Sequence, residues 1–376
     1  MNTQKKIAVI GASYLQLPLV LKCKELNYYS ICFAHIEGAV CADVCDQFYP
    51  ISVLEKEEIL KICKELQIDA VLTIASDIAV STVNYVAEKL NLFGNPTSSS
   101  QLCTDKNKMK EALSNYHLPT AKFCQLTEAK EFHLLSSFNF PLIVKPADRS
   151  GSLGVTKVNT FEALTLAFET AMHHSLNKSV IVEEFIIGKE ISVESITFEG
   201  KHFFLALTDK VTSGAPHFVE LEHHQPAKLS EEDTTLIKEI LSKALNALQI
   251  KNGASHSELI IDSNNNIIIN EIGARMGGDF IGSHLVQLST GYDFLKGVLD
   301  VALGEFKEIK IHTNIAFSGV LFLSSITDFE KRINPNQREI VQYEINEIKN
   351  ETLTKSADRN GFYIYQADKK INFDSI

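Results

Sequence analysis

The run Ser257-Glu258-Leu259-Ile260-Ile261-Asp262-Ser263-Asn264-Asn265-Asn266-Ile267-Ile268-Ile269-Asn270-Glu271-Ile272-Gly273-Ala274-Arg275 reads as two apolar strands around a turn-forming cluster, Asp262 to Asn266. With the turn centred on Asn264-Asn265, Glu258 lies directly opposite Glu271. Two carboxylates facing each other across a ladder repel, and the flanking Ile260 and Ile269 make their surroundings apolar. A divalent cation between them reverses the sign. Ligation by oxygen alone suits Mg²⁺, which completes its shell with water or phosphate. Gly273 and Arg275 continue on the face of Glu271, placing a small residue and then a guanidinium where a phosphoryl oxygen can sit. A slipped register, with one glutamate simply solvated, is the plain alternative.

Upstream, Lys145 interrupts the apolar strand Pro141-Leu142-Ile143-Val144-Lys145-Pro146, where a lysine needs an anionic partner. The next stretch, Asp148-Arg149-Ser150-Gly151-Ser152-Leu153-Gly154-Val155, is a flexible turn able to aim backbone N–H groups at phosphate. It joins strand to strand and lacks the Gly-Lys-Ser/Thr ending of a Walker loop, so, taken alone, an ordinary hairpin turn is the favoured reading. Lys106 sits in the first turn of a helix capped near Thr104 or Asp105, the end where a cation is least welcome, which hints at a ligand anion, with a solvated lysine an equal alternative. The strand Val180-Ile181-Val182-Glu183-Glu184-Phe185-Ile186, followed by Gly188-Lys189-Glu190, is either a strand end with solvated charge or a site for a nucleoside: backbone for an adenine edge, Glu190 for ribose hydroxyls.

The first ninety residues alternate strands and helices: Lys6–Ile10, a helix from Tyr14 to Leu26, Ser30–Ala34, Glu55–Leu66, Ala70–Ile74 and Ile78–Leu90. That order implies a parallel sheet. The loop Gly11-Ala12-Ser13-Tyr14-Leu15-Gln16 lacks the later glycines of a dinucleotide fingerprint, so the expectation is a Rossmann-like sheet without a dehydrogenase site. Gly94-Asn95-Pro96-Thr97-Ser98-Ser99-Ser100 reads as a linker. Beyond it, short strands from Phe140 to Val211, a helix from Glu231 to Leu248 and the hairpin suggest an α+β domain. From about Ile311, the strand-like run Ala316–Leu323 and a polar tail suggest a small third unit.

Composition bounds the function. The 376 residues are 45% apolar and 22% charged, which excludes wholesale disorder. A net charge of −11 disfavours nucleic acid and anionic membranes as partners. All seven cysteines (Cys23, Cys32, Cys41, Cys45, Cys63, Cys103 and Cys124) fall in the first third without a CxxC, as expected of buried thiols in a reducing compartment. Lys5 and Lys6 before an apolar stretch mimic a secretion signal, but Ser13, Tyr14, Gln16 and Pro18 break it. The expected location is the cytoplasm.

In this order and spacing the pieces resemble the ATP-grasp superfamily of carboxylate–amine ligases. The residues that carry the likeness are Asp105-Lys106, Ile143-Val144-Lys145-Pro146, the Ser150–Gly154 loop, Glu183-Glu184-Phe185 with Gly188-Lys189-Glu190, and Glu258 with Asn270-Glu271-Ile272-Gly273-Ala274-Arg275. The resemblance implies a mixed α/β and α+β fold. A Rossmann-like parallel-sheet domain (1–95) would precede a two-lobed ATP-grasp domain (96–310, lid about 116–185) and a small β-rich C-terminal unit (311–376). It implies ATP and Mg²⁺ (or Mn²⁺) as cofactors. Lys106, Lys145 and the loop residues Ser150, Gly151, Ser152 and Gly154 would hold phosphates. Glu183, Glu184, Phe185 and Ile186 would read adenine, with Glu190 on ribose. Glu258 and Glu271 would carry the metal, and Arg275 would steady an acyl-phosphate. Relatives often have asparagine where this chain has Gly273.

A narrower likeness, at Gly214-Ala215-Pro216-His217-Phe218-Val219-Glu220-Leu221-Glu222-His223-His224-Gln225-Pro226-Ala227, is to the L-amino-acid (dipeptide) ligases. It implies that Glu220 and His223 meet the aminoacyl-phosphate, with Glu222 where relatives usually have glycine. The paired glycines of Gly273-Ala274-Arg275-Met276-Gly277-Gly278-Asp279-Phe280 suit the same subgroup. Small-molecule carboxylate and amine substrates follow as partners, and relatives often form homodimers. Two rivals stand beside this reading. One is a purine-pathway enzyme ligating formate or bicarbonate to a ribonucleotide, which needs a basic pocket that residues 11–16 and 76–80 do not supply. The other is a non-catalytic nucleotide-binding module.

Overall fold

The computed structural model describes residues 4–215, 217–309, 316–323, 340–345 and 353–368. Pro216 of the substrate segment and the remainder of 311–376 lie outside the described residues. The chain opens with β1 (Lys6–Ile10), α1 (Leu17–Glu25), β2 (Tyr29–Phe33), β3 (Gln47–Tyr49), α2 (Lys56–Leu66), β4 (Ala70–Leu72) and α3 (Asp77–Leu90). The strands form a parallel four-stranded sheet in the order β3-β2-β1-β4, as the alternation of elements requires. Helix α1 starts three residues later than Tyr14 because Pro18 belongs in a first turn, where its missing N–H costs nothing.

The stretch read as a linker is half helix: α4 (Thr97–Thr104) begins inside it. Three successive serines disfavour a helix interior, but here Ser99 donates to the Leu248 carbonyl and Ser100 accepts from Asn84. Next comes α5 (Lys106–Asn115), capped by the Asp105 side chain, which accepts from the Asn107 and Lys108 amides. A small lobe follows, of β5 (Phe123–Leu126), β6 (Leu142–Pro146), β7 (Thr156–Val158), α6 (Leu164–His174) and β8 (Val180–Glu184), in sheet order β5-β8-β6-β7. It has its own core of Leu142, Val144, Val182 and the inward side of α6.

The rest is organised by one antiparallel sheet of eight strands. Its members are β9 (Gly188–Phe198), β10 (Lys201–Thr212), β11 (Glu220–Gln225), β12 (Gly253–Asp262), β13 (Ile267–Gly273), β14 (Phe317–Phe322), β15 (Ile340–Ile345) and β16 (Gly361–Ala367), in the order β13-β12-β9-β10-β11-β14-β16-β15. The described C-terminal strands are therefore not a separate layer: β14 pairs with β11 and extends the sheet. Helix α7 (Glu231–Ala247) buries Ile237, Leu241, Ala244 and Leu245 with Met109 and Leu113 of α5 against one part of the sheet. Helices α8 (Val286–Thr290) and α9 (Phe294–Ala302) follow, and α9 joins the two large bodies: Leu299 lies in one cluster with Val9 and Leu72 of the parallel sheet and Ile196 and Ala254 of the large sheet. Among the described residues no helix is long and apolar enough to cross a membrane. Leu299→Ala should cost about 2–5 kcal/mol, since a fully buried leucine leaves a cavity in a shared core. A urea melt should show a lower midpoint at unchanged slope.

Candidate active site

The sheets enclose a cleft of about 390 Å³ lined by residues of all the expected motifs. At one end three lysines converge. Lys106 Nζ lies 2.9 Å from Glu271 Oε1 and donates to the Arg149 carbonyl at 2.7 Å. Lys145 Nζ lies 2.9 Å from Glu183 Oε1, and Lys110 Nζ lies 3.5 Å from Glu183 Oε2. Glu183, expected at adenine, is instead the carboxylate that neutralises buried lysines. Pairing of Ile143 with Glu183 sets it diagonal to Lys145 on the same face of the lobe. Burial pushes the Lys110 ammonium down to about 8, more than Glu183 can restore. Burial alone would raise Glu183, but Lys110 and Lys145 outweigh it and bring the carboxyl to about 2. Sequence reading missed Lys110. Its signal was the spacing of four from Lys106, which puts both on one helix face.

The Ser150–Gly154 turn uses left-handed backbone at Gly151, Ser152 and Gly154. Ser150, Gly151 and Ser152 line the cleft, whereas Gly154 sits behind them, where an added Cβ would press on His174 and Pro146. Glu184, Phe185, Ile186 and Glu190 line the wall leading away from the lysines. The Glu184 carboxylate accepts from the Asn139 amide, and the Phe185 ring lies beneath Lys157 Nζ at 3.9 Å. Burial raises the Glu190 carboxyl.

Glu258 does face Glu271, for a reason the turn position alone does not provide. The hairpin closes on Asp262 and Asn266, one residue short of the symmetric reading, and a bulge at Asn270 restores the pairing of the glutamates. Their repulsion is also offset in the protein itself. Glu271 has Lys106, while Glu258 has Lys210 Nζ at 2.5 Å and His256 Nε2 at 3.3 Å. Burial opposes charge on His256, but the fully buried Glu194 outweighs it and holds the imidazole up to about 9. Two opposed carboxylates offering only oxygen atoms fit a hard divalent cation.

Lys210 also reaches Glu220, at 2.6 Å, and so links the opposed glutamates to the segment around Glu220. Burial opposes its charge, but the two carboxylates outweigh it and raise its pKa. Residues three apart on a regular strand face opposite sides. Here the β10–β11 register slips at Val211/Thr212 and leaves Leu221 unpaired, so Glu220 swings onto the face of His223. A bulge within a strand, rather than a turn, brings them together. His223 is fully buried, with Nε2 3.6 Å from Glu220 and 4.0 Å from Asp279. Arg359 holds Asp279 through both Nη atoms at 2.8 Å. Glu222 turns away to His224 Nε2 at 2.8 Å and leaves the pocket face to Glu220. Arg275 lines the cleft but is paired with Asp77 of α3.

Replacing Glu183 leaves two buried ammonium groups unpaired, so Glu183→Gln should destabilise the protein by about 3–5 kcal/mol. The sign in acid follows from its depressed pKa. The carboxylate contribution is full above the ordinary value of 4.5 and is lost as pH falls toward about 2. Urea midpoints measured across that window should fall more steeply for the wild type than for Glu183→Gln.

Residues 138–283, which hold Lys145, Glu183, Glu220, Glu258, Glu271 and Arg275, match the family model for the ATP-grasp domain. The chain is 28% identical over 268 residues to an alanine–anticapsin ligase of Bacillus subtilis, covering 65% of this chain and 56% of that protein. It is 28% identical over 229 residues to a formate-dependent phosphoribosylglycinamide formyltransferase of Prochlorococcus marinus, covering 60% of this chain and 55% of that one. The chain thus spans little more than half the length of these curated relatives. The crystal structure of an L-amino acid ligase from Bacillus licheniformis shares the fold at a TM-score of 0.81 and 23% identity, covering 98% of this chain and 95% of that chain. Most of the cleft's charged residues thus lie in the segment that matches the ATP-grasp domain model, and an amino-acid-joining ligase is among the proteins to which this chain is similar.

Proposed function

We propose that the chain is an ATP-dependent ligase that joins a carboxylate, most fittingly that of an amino acid, to an amine and releases ADP and phosphate. The observation that carries this reading is the continuity of one charged cleft: Lys106, Lys110 and Lys145, then Glu271 and Glu258, then Lys210, Glu220 and His223. The three lysines exceed their two carboxylates by one charge, a surplus that phosphates entering there would offset. Mg²⁺ or Mn²⁺ would be held by Glu258 and Glu271, and it would supply charge neutralisation at the phosphates.

The substrate carboxylate oxygen attacks the γ-phosphorus of ATP, and the bond to the β-phosphate oxygen breaks to give ADP. The amine nitrogen then attacks the acyl carbon and inorganic phosphate leaves. This chain's residues act by position and charge. Glu220 can accept hydrogen bonds from the ammonium of an amino-acid donor. His223 stands beside it, where burial opposes a proton but Asp279 and Glu220 together favour it. A ribonucleotide substrate is disfavoured because Tyr14, Leu15, Ala75 and Asp77, the described lining residues from the parallel-sheet domain, include no cation.

Loss of a charged hydrogen bond costs about 1.5–3 kcal/mol, so Glu220→Ala should lower kcat/KM for the donor roughly ten- to a hundredfold. The KM for ATP should stay nearly constant. Steady-state ADP release with single amino acids checks this; wild-type donor kinetics in the variant would remove the amino-acid reading. Glu258→Gln should lower turnover at least a hundredfold with the fold retained. ADP release stimulated by a purine ribonucleotide with formate, and not by amino acids, would favour the other relative's chemistry.

A further inference from the structure

The Arg275 guanidinium, in the loop after β13, is held by a residue from the parallel-sheet domain. Asp77 is the first residue of α3, and its carboxylate accepts from Arg275 Nε and Nη2 at 2.8 Å each. Arg275 Nη1 donates to the Met276 carbonyl at 3.3 Å. The same carbonyl accepts from the Ala75 amide at 3.1 Å, with Ala75 in left-handed backbone, uncommon for a residue with a Cβ. The loop before α3 and the loop after β13 are therefore joined at three points.

A guanidinium presents N–H groups along a side edge and an end edge. Asp77 takes the side edge and Met276 takes a proton of Nη1. A single N–H on each of Nη1 and Nη2 is left, and on the end edge the two would make a fork that matches two oxygens of a phosphoryl group. Gly273 belongs to the same device. A Cβ there would lie 2.8 Å from Asp77 Oδ1 and 3.2 Å from Arg275 Nε, so the pair fills the space a side chain at 273 would need. The absence of a side chain where relatives have asparagine is thereby matched by a carboxylate brought from the other domain.

We propose that Asp77 is a positioning residue for Arg275: it clamps one edge of the guanidinium so that the remaining fork meets phosphoryl oxygens in the cleft. The proposal rests on the ligase reading only for the identity of the reacting phosphoryl group. Asp77 itself touches no reacting atom. Its removal should disturb turnover rather than ground-state nucleotide binding, because it releases the guanidinium without removing its charge.

The test uses the full chain and the variants Asp77→Asn, Asp77→Ala, Gly273→Ala and Arg275→Lys, with thermal melts confirming folding. Asp77→Ala should lower kcat for amino-acid-stimulated ADP release at least tenfold with the KM for ATP within twofold. Gly273→Ala should reproduce that split. In the Arg275→Lys background, where no bidentate clamp forms, adding Asp77→Ala should cost less than twofold. Wild-type kcat in folded Asp77→Ala, or an equal loss in both backgrounds, would overturn the proposal. A second readout does not depend on ligase activity. With ADP and Mg²⁺ present, inorganic phosphate should shift the Arg275 Nη resonances in arginine side-chain NMR spectra while the Nε–H signal held by Asp77 stays in place. A phosphate-induced shift of Nε, or no shift of Nη, would count against the clamp. A wild type that releases no ADP with any amino acid would remove the ligase reading alone, and the phosphate titration would still decide the role of Asp77.

Discussion

Buried charge in one cleft is the constraint on which the site depends. Lys106, Lys110, Lys145 and Lys210 are each nearly removed from water, and each would be costly alone. Glu183, Glu271, Glu258 and Glu220 face them, so desolvation is offset by short ion pairs. The pairs are made between different elements: α5 to β13, β6 to β8, β10 to β11 and β12. Folding of these elements together is therefore the condition for any of the charges to be buried. Such pairs are poor sources of net stability but strong enforcers of geometry, because losing one partner leaves the other stranded.

Two irregularities in the large sheet convert this charge pattern into a site. The bulge at Asn270 turns Glu271 toward Glu258, and the unpaired Leu221 turns Glu220 toward His223. Strict alternation would separate both pairs, since a slip of one residue reverses the face of every side chain beyond it. Lys210 lies between the two corrected positions and bonds to a glutamate from each. The opposed glutamates and the segment around Glu220 are thereby coupled through one ammonium group.

The remaining parts are brought in from outside the matched domain. Helix α9 ties the parallel sheet to the large sheet through a shared apolar core, and that contact sets the start of α3 against the loop after β13. From the C-terminal side, Arg359 stacks on Phe322 at 3.6 Å and grips Asp279. The cleft is thus walled by residues from the parallel-sheet domain, the small lobe, the large sheet and the described C-terminal segment.

The sequence by itself determined the kinds of elements, their order and most of the charged residues of the cleft. Apolar periodicity, the Asp105 cap and the turn cluster at Asp262–Asn266 are local signals, and local signals survive in one dimension. Helix α6 fell inside a stretch read as strands although its Leu, Ala, Glu and Met favour a helix, and the helical half of the Gly94–Ser100 stretch was not legible because its serines are weak helix formers held by tertiary contacts. The partners of the charges were beyond it too. Lys110, Glu194, Asp77 and Arg359 lie far in sequence from the groups they serve, Lys210 lies far from Glu258, and nothing near them marks them as buried. Glu183 read as a strand-end acid near adenine until the antiparallel register set it beside Lys145. Tertiary structure alone decided which carboxylate answers which cation, because that choice depends on strand register, two bulges and the docking of one domain on another.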